Sequence, residues 1–184
     1  MRPLSTQLIS FTEFEKDLLN SLVDGNVVGF LLDSKTGDLK KSGLILHPKA
    51  VIPLDELLGH SATLFYPDPR RFEGGSYFEA VTDFSRNLGE SDHVRYEFTT
   101  PALLLMTYRE GHFERVTVLS LDTLPMCMWH TEVFSFVKAY MMGVPLNQSQ
   151  GHWWSSMIKS HAETIGVEAV KACVSVFFNK LSPL

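Results

Sequence analysis

The spacing of apolar residues changes along the chain, and each change marks an element. Ser10-Phe11-Thr12-Glu13 fits a capping box, in which Ser10 takes a free amide at a helix start and Glu13 reaches back. Phe11, Phe14, Leu18, Leu22 and Val23 then recur at helical spacing until Gly25, with Lys16 and Asp17 on the wet side. Val27 to Leu32 is a β-rich run, followed by Ser34-Lys35-Thr36-Gly37-Asp38, whose residues favour a turn, and then by Leu39 to Leu46. This order predicts a first β-hairpin. Pro48 and Pro53 punctuate the chain beyond it, Leu54 to Leu58 fits a short helical turn, and Ala62 to Tyr66 reads as a strand stopped by Pro67.

A second capping box, Ser76 to Glu79, opens a helix with Tyr77, Val81, Phe84 and Leu88 on one face. His93 to Thr99 alternates like a strand and Pro101 breaks it. Leu103 to Tyr108, the turn Arg109-Glu110-Gly111-His112 and Phe113 to Leu121 form a second hairpin. Leu103-Leu104-Leu105-Met106 is apolar on both faces, which places that strand centrally. After Pro125 the period becomes helical. Val133, Phe136, Val137, Tyr140 and Met141 make one stripe, and Trp154, Met157, Ile158, His161 and Ile165 make another. The stretch from Val167 to Leu181 is most simply a third helix, with Val170, Cys173, Val174, Phe177 and Phe178 inward, although Val174 to Phe178 would also suit a strand.

The pattern therefore predicts an α+β fold: a mostly antiparallel sheet of about five to six strands containing two hairpins, with helices packed on it and a helical C-terminal third. Residues 1–184 are expected to form a single domain. Its α+β portion covers 1–124, and its helical portion, 125–184, is too small to stand alone and packs on the sheet.

Composition agrees with a self-sufficient core. The chain has 184 residues, of which 45% are hydrophobic and 20% charged, including thirteen Phe, three Trp and seven Met. A formal charge of −5 argues against broad, unspecific nucleic-acid binding. Two cysteines, Cys127 and Cys173, make no disulfide framework, and the first residues lack the apolar core of a signal peptide. A soluble, cytoplasmic protein with no membrane span is the expectation.

Candidate chemistry is sparse. Cys127-Met128-Trp129-His130, with His152, His161 and Cys173, supplies thiols and imidazoles of the kind zinc takes, but only Cys127 and His130 are closely spaced, so no metal site is assigned. The same residues offer a Cys–His pair, Cys127 with His130, His152 or His161. A nucleophilic cysteine needs thiolate character, which a helix start favours and the neighbouring Met126, Met128 and Trp129 oppose, so a buried structural cysteine is the expectation. Trp153 and Trp154 are adjacent at a predicted helix start and do not both fit one core, which marks them as candidate binding residues. Arg70 and Arg71, near the turn Glu73-Gly74-Gly75-Ser76, suit an anion, as do Lys35, Lys40, Lys41, His47 and Lys49 on the 35–49 hairpin. No aromatic interleaves those lysines, so a solvated hairpin is the simpler account and nucleic acid an unfavoured partner. Glu110 and Glu114 read as hairpin polarity rather than an acid–base pair.

No motif implies a cofactor. The resulting expectation is a small, non-enzymatic protein-interaction module that binds a protein partner or self-associates, for example as a homodimer. The alternatives are a cysteine/histidine-dependent enzyme, and an anion or nucleic-acid binder through Arg70, Arg71 and the 35–49 hairpin.

Overall fold

The computed structural model describes residues 5–8, 11–34, 38–44, 48–67, 99–146, 158–160 and 164–181. The elements in chain order are β1 (Ser5–Leu8), α1 (Phe11–Ser21), β2 (Val27–Leu32), α2 (Asp38–Ser42), α3 (Pro48–Leu58), β3 (Ala62–Pro67), β4 (Ala102–Arg109), β5 (His112–Ser120), a 3-10 turn at Met126–Met128, α4 (Trp129–Met141), β6 (Ile158–Ser160), β7 (Ile165–Gly166) and α5 (Val167–Leu181). Among the described residues no helix is long and apolar enough to cross a membrane.

The fold is α+β and the sheet is mixed: four of the six pairings among its described strands are antiparallel, as a mostly antiparallel sheet requires, and two are parallel. Its order is β1-β3-β2-β4-β5-β6, with β7 also on β5. β3 lies parallel to both β1 and β2, whereas β4 runs antiparallel to β2 and to β5. The reason lies at Asp33 and Ser34. Ser34 and Asp38, expected in a hairpin turn, instead stand at a helix start: the Asp33 carboxylate accepts the Leu39 amide at 2.9 Å, and the Ser34 hydroxyl accepts the Asp38 amide at 3.3 Å. Short polar side chains favour turns and helix starts for the same reason, since both leave backbone amides in need of an acceptor. The chain thus leaves β2 through α2 and α3 and returns as the parallel strand β3. In place of the expected 35–49 hairpin, the described residues are helical at Asp38–Ser42 and from Pro48 onward.

The other hairpin forms as its sequence dictates. Glu110 (φ 48°) and Gly111 (φ 90°) make the two-residue turn between Arg109 and His112, with the left-handed backbone such a turn requires. β4 is buried from Ala102 to Thr107, as its two-sided apolar run requires.

The closing third is not purely helical. Ile158 and Ile165, expected on a helical stripe, lie in β6 and β7, and both strands pair with β5. The chain beyond residue 125 therefore re-enters the sheet. α4 and α5 are helices, and the ambiguous run after Val174 is helical.

Alternation along the central strands divides the core into two layers. One contains Val28, Phe30, Leu32, Leu104, Met106 and Val118 with Phe14 and Leu18 of α1 and Val170 and Val174 of α5. The other contains Val27, Leu31, Leu103, Leu105 and Leu119 with Leu39 of α2, Leu54 and Leu58 of α3, and Val133, Phe136, Val137 and Tyr140 of α4. Helices therefore cover both faces of the sheet. Lys171 ties α5 to α1 through Glu15, at 3.7 Å. Gly29 marks the tightest approach: a β-carbon there would lie 2.6 Å from Leu105 Cδ2 and 2.8 Å from Leu64 Cδ1.

Candidate functional site

The strand order collects several polar groups at one end of the sheet. β1, β2 and β3 are parallel, so their carboxyl ends lie together. Leu32 pairs with Ala102 and Ala102 with Ser120, which brings the start of β4 and the finish of β5 to the same end. The connection from β1 leaves onto the α1 face, and the connection from β2 leaves onto the α2–α3 face. In open sheets with parallel strands, the crevice outside the carboxyl ends, where connections diverge, is the usual place for a ligand.

Asp33 sits at this end and is buried. Its Oδ1 accepts the amides of Ser34 at 2.7 Å and Leu39 at 2.9 Å. Burial pushes its carboxyl above the ordinary carboxylate range, outweighing the backbone amides that favour the charged form. Ser34 donates its hydroxyl to Asp38 Oδ2 at 2.7 Å. These groups are engaged in starting α2. Across the strand junction, the Leu121 amide donates to the Pro101 carbonyl at 2.8 Å, and Thr99, Asp122 and Thr123 are exposed.

Cys127 belongs to the same end. The chain turns away from β5 through Leu124, whose carbonyl accepts the indole N–H of buried Trp129 at 3.0 Å, and then enters α4. This anchors the 3-10 turn and leaves Cys127 exposed, contrary to the expectation of a buried structural thiol. Trp129 takes the apolar burial that the flanking sequence promised, and the cysteine faces outward. Met128, at the start of α4, gives no side-chain cap. His130 lies three residues beyond Cys127, half-buried, and its Nε2 is buried without a hydrogen-bond partner. Glu132, in the same first turn, is buried and its Oε2 also lacks a partner.

The far end of α4 holds a different polar group. Opposite Met106, β5 carries an extra residue, and Arg115 adopts φ 55° there. The Tyr140 hydroxyl donates to the Arg115 carbonyl at 2.8 Å, as does the Thr117 hydroxyl at 3.0 Å. With the single phenolic proton so used, the Thr107 hydroxyl, 3.0 Å away, donates to the Tyr140 oxygen. The Arg115 guanidinium lies 4.7 Å from the centre of the Tyr140 ring. Burial pushes the phenol up to about 12 against the opposing pull of Thr107 and Arg115, so Tyr140 is a neutral structural clamp.

Of the residues singled out in the sequence, Cys127 and His130 thus share the start of α4, and Cys127 shares a sheet end with Asp33. His152, His161, Trp153, Trp154, Arg70 and Arg71, and the second capping box at Ser76, lie outside the described residues, as does the Cys173 side chain. Lys41 pairs with Asp38 at 3.5 Å on α2, not on a strand. Glu110 is exposed at the hairpin tip and Glu114 pairs with Arg109 at 3.4 Å, as ordinary hairpin polarity requires. Among the described residues, no three His, Cys, Asp or Glu side chains converge as metal ligands. Glu132 was legible in principle, because Glu132, Phe136 and Tyr140 follow helical i, i+4 spacing on a buried arc.

No family model matches this chain, and no curated protein and no solved structure matches it.

Proposed function

We propose that this protein is a small, non-enzymatic interaction module that receives a segment of a partner protein at the carboxyl ends of β1, β2 and β3. One observation carries this reading: three parallel strands finish at one end of the sheet while the connections from β1 and β2 depart to opposite faces. The polar groups there support binding rather than catalysis, because Asp33 and Ser34 are committed to the start of α2. Trp153 and Trp154 remain proposed contact residues, and self-association belongs to the same reading.

A peptide library screened by backbone-amide NMR tests it. Binders are expected to shift the resonances of Ser34, Leu39, Thr100, Leu121 and Cys127 while leaving Asp24, Glu110 and Gly111 unmoved. Binders that act only at the hairpin tip, or a library without binders, would overturn the assignment of this end. Dilution in an analytical ultracentrifuge tests self-association, which a strict monomer excludes.

A second reading has its own support. Cys127 is exposed, and His130, three residues on, has an unpartnered buried Nε2. A cysteine/histidine-dependent enzyme would label rapidly at Cys127 with iodoacetamide at neutral pH and lose that rate on His130→Ala. An unreactive Cys127 removes this reading.

A further inference from the structure

We draw no further inference here: the strongest candidate, the first turn of α4 where Glu132 Oε2 and His130 Nε2 are buried without partners close in sequence to the exposed Cys127, belongs to the site already described and has no converging third ligand among the described residues to say what it would hold.

Discussion

The two faces of the sheet are built from different materials. On the α1–α5 face the core is apolar and aromatic: Phe14, Phe30 and Phe65 meet with ring centroids 5.0 to 6.1 Å apart. Among the described residues the buried polar side chain on this side is Ser21, which satisfies itself by donating to the Leu18 carbonyl at 2.7 Å. The α2–α4 face is mainly aliphatic, yet it carries Asp33, Thr107, Thr117, Glu132 and the Tyr140 hydroxyl. Buried polar groups cost free energy unless paired, so their concentration on one side has to be matched by hydrogen bonds there. Asp33, Thr107, Thr117 and Tyr140 are matched in this way, whereas one Glu132 oxygen is not. One face supplies bulk cohesion, and the other spends part of its cohesion on fixing where α2 and α4 begin and how α4 lies.

Substitutions on the two faces should separate these roles. The largest effect is expected from Phe65→Ala, which empties the centre of the aromatic cluster and should cost about 3–5 kcal/mol in denaturant unfolding. A loss below ~1 kcal/mol would mean that the aromatic face is not the cohesive one.

Next comes Asp33. Asp33→Ala leaves the Ser34 and Leu39 amides without their acceptor and should cost roughly 1–3 kcal/mol. Asp33→Asn keeps an acceptor and removes the charge. Because burial raises the folded carboxyl above its unfolded value, the native state holds this proton more tightly than the unfolded chain does. The contribution is therefore full below the unfolded value and is lost as pH rises through the folded one. The Asn variant should gain progressively on the parent across that acidic window and keep the full gain, constant with pH, above it. A difference that is flat with pH across the window as well would contradict the buried carboxyl.

Tyr140→Phe removes the phenolic link to Thr107 and to the bulge carbonyl and should cost about 1–2 kcal/mol. Hydrogen exchange is expected to rise around Arg115 and not in the Phe14–Phe65 cluster. The smallest effect is expected at Glu132→Gln, within about 0.5 kcal/mol of the parent or mildly stabilising, since it replaces a buried carboxylate that lacks one partner. A cost well above that, measured in the same unfolding series, would show that the Glu132 charge supports the α2–α4 face.

Local features were legible in the sequence; long-range ones were not. The β4–β5 hairpin could be read because Glu110-Gly111 separates two apolar runs, and both the strands and their turn are local. α4 could be read from a stripe whose buried members are Val133, Phe136, Val137 and Tyr140. The first hairpin misled because Ser34 and Asp38 have the same chemistry in a turn and at a helix start, and only the tertiary path after β2 decides between them. β6 and β7 span three and two residues, too few to show a period of two against the helical spacing of Ile158 and Ile165. The candidate site was the least legible part. Asp33 and Cys127 reach one end of the sheet only through strand order, which pairs β2 with β4 and β4 with β5, and local spacing does not encode that order.

The Glu110–Gly111 tip offers a practical route to this protein. It lies at the end of β4 opposite Ala102, and both residues are exposed. Loop tips of this kind are where short insertions are best tolerated. An affinity handle placed there would hold the molecule on a surface with the carboxyl ends of β1, β2 and β3 turned toward the solution. Partners could then be presented to immobilised protein without masking the end at which they are proposed to dock.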